Sequence, residues 1–163
     1  KIKYFLLYSL LFSVFFSAFA KDTQEILSTT KVIITDGDTI KFNNKKIRLH
    51  GIDTPEIKQL CKSKNGEDYK CGVKAKLALI NLISSHQVKC SIHGKDRYKR
   101  KLAICFRNKL NINSWLVRNG HAVSYKKYSK KYLSEEIEAK NDKIGIWQGE
   151  FEMPWDWRKN AKK

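Results

Sequence analysis

The order of apolar patterns constrains this chain more than any other feature: three short strand-like runs, one broad helical stripe, then two further strand-like runs. Residues 31–35 and 39–42 are rich in Val, Ile and Thr and flank Asp36-Gly37-Asp38, a turn signal. After the turn-forming Asn43-Asn44-Lys45, residues 46–50 alternate charged and apolar side chains as a half-buried strand does. Residues 58–70 read as a polar loop. Val73, Leu77 and Ile80 then recur at helical spacing, with Leu79, Leu82 and Ile83 widening the stripe, and predict an amphipathic helix. Strands are predicted at 88–92 and 102–106, joined through 94–100. Asn111 suits the N-cap of a short helix carrying Ile112, Trp115 and Leu116, and Gly120 suits its end. A last helix is predicted over 131–143, turning Leu133 and Ile137 inward.

Five strands with a helix between the third and fourth is the element order of an OB-fold. The expected class is therefore α+β, a five-stranded OB-fold β-barrel with three helices. Ahead of it, Lys1 and Lys3 precede an apolar run over 4–16, and Ala18 and Ala20 occupy the A-x-A positions of a signal-peptidase site. That run is shorter than the roughly 20 residues a spanning helix needs. The expected organisation is a signal peptide at 1–20, a flexible arm at 21–30, the folded domain at 31–148 and a basic aromatic tail at 149–163. A cleaved leader implies a secreted or periplasmic protein with no membrane attachment, and a monomer is the default state.

The formal charge of +17 becomes +15 once 1–20, with two lysines and no acid, are removed. Such a surface attracts polyanions, of which nucleic acid is the commonest, although charge alone equally suits a solvated or membrane-adhering face. Cysteines 61, 71, 90 and 105 allow three pairings in an exported chain. Cys61 with Cys71 closes a short polar loop, and Cys90 and Cys105 lie on neighbouring predicted strands, so these two pairs are favoured. A four-thiolate zinc site is disfavoured by the lack of any C-x-x-C pair. His50, His86, His93 and His121 show no ligand spacing and read as structural or surface residues.

The chemistry-bearing residues fall in three clusters: Asp36-Gly37-Asp38-Thr39, Arg48 leading to Asp53-Thr54-Pro55-Glu56, and Arg100. Asp38 and Asp53 end two strands of one meander, and oxygen-only ligands favour Ca²⁺ or Mg²⁺ over zinc. Arginine offers a planar fork to two phosphate oxygens. Alternation with Ile47 and Leu49 turns Arg48 to the opposite side of its strand. Taken singly, each acidic cluster reads equally well as a turn, and each arginine as a surface charge.

Together they resemble the thermonuclease (staphylococcal nuclease-like) family. The resemblance rests on residues 32–40, on Ile47-Arg48-Leu49-His50-Gly51-Ile52-Asp53-Thr54-Pro55-Glu56, on Asp96-Arg97-Tyr98-Lys99-Arg100-Lys101-Leu102-Ala103, on 115–120 and on Gly145-Ile146-Trp147. It implies a calcium-dependent endonuclease on DNA and RNA that leaves 3′-phosphate ends. Asp38, Asp53 and the Thr54 carbonyl would be Ca²⁺ ligands, with Asp36 behind them. Glu56 would handle the water, and Arg48 and Arg100 would bind the phosphate. Tyr98 would lie near the nucleotide, and Tyr125 or Tyr128 would stack on a base. The chain departs from the pattern at Lys99, where glycine is usual, after Gly120, and in the cysteine-bearing loop. The competing reading is a binding module that grips nucleic acid without cutting it.

Overall fold

The computed structural model describes residues 24–162, so the expected leader at 1–20 lies outside the described residues. Strands β1 (Ile26–Thr29), β2 (Val32–Ile34), β3 (Thr39–Phe42), β4 (Lys45–Leu49) and β5 (Ile52–Asp53) open the domain. A hairpin of β6 (Leu60–Lys62) and β7 (Asp68–Lys70) runs into α1 (Cys71–Ile83). Strands β8 (Val88–Lys95), β9 (Lys101–Arg107) and β10 (Leu110–Asn111) lead to α2 (Ile112–Arg118). There follow β11 (Val123–Ser124), α3 (Leu133–Asn141), a 3₁₀ turn at Gly145–Gln148 and α4 (Pro154–Asn160). No helix among the described residues is long and apolar enough to cross a membrane.

The main sheet runs β1-β8-β9-β4-β3-β2, with β10 on the outside of β9. Its pairs are antiparallel except β4 with β9, which run parallel. The two ends of this path, β1 and β2, are consecutive in the chain and separated only by Thr30 and Lys31. One bent ribbon thus supplies both margins of the sheet, an α+β arrangement consistent with the OB-fold. Among the described residues the main sheet holds seven strands rather than five, and there are four α-helices rather than three.

The extra elements come from segments whose sequences carry weak signals. The arm expected at 21–30 is a strand over Ile26–Thr29: its backbone pairs with β8, and Leu27 packs against the core while Ile26 stays exposed. Two short stretches of the polar loop at 58–70 form the β6–β7 ladder. The 149–163 tail folds into α4, started by Pro154, whose fixed φ suits the first helical position.

Ile40, Ile47, Leu49, Leu79, Val88, Ala103, Ile112 and Leu116 fill the main core, each burial contributing about 1.5–3 kcal/mol for the larger side chains. Two helix faces differ from the sequence reading. In α1 the buried line is Cys71, Ala75, Leu79, Leu82 and Ile83, while Leu77 and Ile80 are exposed. In α3, Ile137 faces solvent and the inward residues are Glu136 and Ala139. Glu136 is buried because it accepts hydrogen bonds from Ser124 N (2.7 Å) and Lys140 Nζ (2.8 Å). Burial pushes its carboxyl upward, but these donors and Lys126 pull it below the ordinary value. The β11 end is fixed in consequence.

A second cluster of Cys61, Cys71, Val123 and Ile146 packs against Trp147 of the 3₁₀ turn and Phe151, Met153 and Trp155 of the tail. Disulfides join Cys61 to Cys71 and Cys90 to Cys105, the latter between facing residues of β8 and β9. His121 stacks on Trp115, and burial, with a smaller push from Lys74, lowers its pKa to about 4.

Candidate active site

Every acidic residue of the candidate site leaves a strand end or a tight loop. The 36–38 turn between β2 and β3 is held by Thr35 and Asp36 amides donating to Thr39 O and by Asp38 N donating to Asp36 Oδ1. Gly37 is required for close approach: a Cβ there meets Thr54 Oγ1 at 2.8 Å and Ala75 Cβ at 3.0 Å. The acidic turn therefore lies directly on Thr54. Asp53 is held by the β5–β11 pair, where its register partner is Val123. Glu56 follows in a turn whose backbone packs against the start of α1, since a Cβ on Gly72 falls 1.9 Å from Glu56 O. Gln59, fully buried, accepts from Glu56 N (3.2 Å) and donates to Glu152 O (2.6 Å), tying that turn to the tail.

With Ile47 and Leu49 in the core, Arg48 faces the other way. It donates from Nη1 to Asp38 Oδ1 and from Nη2 to Asp53 Oδ1, both at 2.7 Å. One guanidinium thereby sets the spacing of two acids that are 3% and 0% exposed. Burial pushes both carboxyls upward despite the pull of Arg48 on each. Asp38 also accepts from Thr39 Oγ1 at 3.0 Å and, weakly, from Thr54 N at 3.4 Å.

The sequence reading missed Arg158. Projecting from α4, it places Nη2 2.6 Å from Asp53 Oδ2 and Nη1 3.1 Å from Asp53 Oδ1, with Nη1 also 2.8 Å from Glu56 Oε1. Its helix is positioned by the stacking of Trp155 on Tyr125, with centroids 5.3 Å apart and planes 4° from parallel. The only signal in sequence was the aromatic Trp155-Asp156-Trp157 run before it, which marks a packed tail without naming its target. Asp36, Asp38, Asp53 and Glu56 thus bring four carboxyl groups to the neighbourhood of the Arg48 and Arg158 guanidinium groups.

Arg100 stands apart from this carboxylate group. Its Nε donates to Asp96 Oδ2 (2.7 Å) and its backbone N to Asp96 Oδ1 (2.9 Å). Burial pushes the Asp96 carboxyl up, and the Arg100 bonds pull it further down, to a net value below the ordinary one. In the parallel register Arg48 faces Leu102, two positions beyond Arg100. Arg100 itself lies just before β9, after the left-handed Lys99. Tyr98 is exposed and lies beside the Arg97 and Arg100 guanidinium groups. Tyr125 sits between Trp155 and the edge of Tyr128, and Tyr128 itself is exposed.

The turn before Arg100 requires a left-handed residue, and Lys99 adopts it with φ 62° while donating its N–H to Asp96 O. A side chain in that region carries a steric cost that glycine avoids. The Lys99→Gly protein is expected to gain about 0.5–1 kcal/mol in urea unfolding with its activity unchanged.

Several known proteins are similar to this chain. The chain is 36% identical over 122 residues to the succinoglycan biosynthesis protein ExoI of Rhizobium meliloti, covering 73% of this chain and 64% of that protein. It is 35% identical over 144 residues to an uncharacterized endonuclease of Haemophilus influenzae, covering 83% and 75%. It is 31% identical over 135 residues to a probable staphylococcal-like nuclease of Oryza sativa, covering 81% of this chain and 34% of that one. The chain thus spans about a third to two thirds of the length of the first and third of these relatives. The sequence profile described as "Staphylococcal nuclease homologue" matches residues 46–149, from β4 through the 3₁₀ turn. With its carboxylates gathered around Arg48 and this match over most of the domain, the chain belongs to the staphylococcal nuclease homologue family.

Proposed function

We propose that this protein is a secreted, calcium-dependent endonuclease that hydrolyses phosphodiester bonds of DNA and RNA with little sequence preference and leaves 3′-phosphate ends. The observation that carries the reading is the convergence of Asp38, Asp53 and Glu56 around two guanidinium groups. Family membership supports a nuclease. The two disulfides and the leader-like sequence at 1–20 support export.

The donor set fits a hard divalent cation. Asp38 and Asp53 are buried oxygen donors bridged by Arg48. Among the described residues no three His, Cys, Asp or Glu side chains form a ready-made metal cluster. Asp38, Asp53 and the Thr54 carbonyl would hold the ion. When bound, Ca²⁺ supplies positive charge to a phosphate oxygen.

The chain's own residues do the rest. Arg48 spends one donor on each aspartate, and a guanidinium has further N–H groups free for a phosphate oxygen. Arg100, in the turn that leads into β9, would have to exchange Asp96 for phosphate. These forks stabilise the charge that builds on the equatorial oxygens. Glu56, 37% exposed, can reach water, orient it in line and accept its proton. Of the two tyrosines expected to stack on a base, Tyr128 is the exposed one, while Tyr125 is already stacked on Trp155, and Tyr98 offers a further contact.

Incubation with plasmid, single-stranded DNA and RNA, in Ca²⁺ or in excess chelator, tests the reading. Cleavage of all three that stops with chelator, and fragments that accept label only after phosphatase treatment of the 3′ end, are expected. Retarded DNA without chelator-sensitive cleavage would instead establish a binding module.

A further inference from the structure

We infer that Arg158, delivered by the C-terminal helix, is a positioning residue that clamps Glu56 beside Asp53 and neutralises Asp53. The inference rests on the reading of Glu56 as the water-handling carboxylate. Asp53 is fully buried, and both its oxygens accept from Arg158. The same Nη1 donates to Glu56 Oε1, so a single nitrogen is shared between two carboxylates that would otherwise repel. Arg158 has a raised pKa: burial alone would lower it, but the bonds to Asp53 and Glu56 more than offset that cost.

The clamp is built by the fold rather than by a free side chain. Gln59 fastens the Glu56 turn to Glu152 O, and Lys62 N donates to Glu150 O at 2.8 Å. Gly149 lies so close to the β6 end that a Cβ would fall 2.1 Å from Lys62 O. Pro154 is buried, and Trp155 stacks on Tyr125. These contacts aim α4 at the acids from beyond the 46–149 stretch that the family profile matches. A surface arginine held only by charge would show none of them.

Holding Glu56 by one oxygen fixes its direction while leaving the other for water. Its freedom, not its charge, is what Arg158 removes. Arg158 also opposes a divalent cation at Asp53, since like charges compete for the same oxygens.

The test compares the full native chain with Arg158→Lys and Arg158→Gln, measuring kcat and KM on single-stranded DNA. Calorimetric titration with CaCl₂ alone gives a readout independent of cleavage. Arg158→Gln is expected to lower kcat about 10²-fold with KM changed less than about threefold, as for a lost orienting group. Arg158→Lys keeps the charge but not the fork and is expected to recover about a tenth of native kcat. Calcium affinity is expected to rise about tenfold in Arg158→Gln and to stay near native in Arg158→Lys. Guanidinium chloride at low millimolar concentration is expected to restore part of the kcat lost in Arg158→Gln.

Native kcat in Arg158→Gln would overturn the positioning role, as would a loss expressed only in KM. Unchanged calcium affinity would overturn the contact with Asp53 whether or not the chain cleaves DNA. A native chain that binds calcium but cleaves nothing would instead defeat the nuclease reading, and the two failures are thus separable.

Discussion

The Arg100→Lys protein is expected to lose about 10²–10³-fold in kcat while melting within a few degrees of the native protein. Lysine keeps the charge but brings a single ammonium where a fork can engage two phosphate oxygens. The effect should fall on chemistry because the transition state carries more negative charge on those oxygens than the bound substrate does. Stability should barely change, because among the described residues the only side-chain ion pair of Arg100 is with Asp96, and both groups are partly exposed. Such a pair contributes about 0–1 kcal/mol. Asp96 also keeps its bonds from the Tyr98 and Arg100 amides after the change. Steady-state cleavage of DNA, beside a thermal melt, checks both halves. Activity within about threefold of native would remove Arg100 from phosphate binding.

Arg48→Met should do what Arg100→Lys does not and damage fold and reaction together. Arg48 is the bridge between Asp38 and Asp53, and Met leaves Asp38 buried with no cation bonded to it. Removing one partner of a buried ion pair costs about 3–5 kcal/mol, most of it the penalty of the stranded charge. Urea unfolding should show that loss as a lower midpoint, and cleavage should fall below detection. The double variant Arg48→Met/Asp38→Asn should recover much of the stability, because the orphaned charge is gone, yet none of the activity. Equal stability of single and double variants would show that Arg48 is not what keeps Asp38 in the core.

Legibility in sequence followed distance along the chain. Asp38, Arg48, Asp53 and Glu56 stand within a short stretch, where strand alternation and turn chemistry already fix directions. Arg158 lies 105 residues from Asp53, beside the lysines of a basic tail. Charge there reads as solvation, and no local rule reports which acid an arginine will meet. The helix faces failed for another reason. Both sides of α1 carry aliphatic residues, so Leu77 and Ile80 fit the helical period as well as Ala75 and Leu79. Ile137 lost its place to Glu136 because an acid can be buried once the Ser124 amide and Lys140 supply donors. Strand β1 was invisible because a four-residue run gains its order from β8, not from itself.

The ribbon formed by β1 and β2 has a practical corollary. Free strand margins are templates on which other molecules of the same chain can grow, and here each margin is a strand of only three or four residues. Concentrated solutions of the native protein should stay clear, whereas partial melting that peels residues 26–34 away would uncover the backbones of β8 and β3 at once and start precipitation.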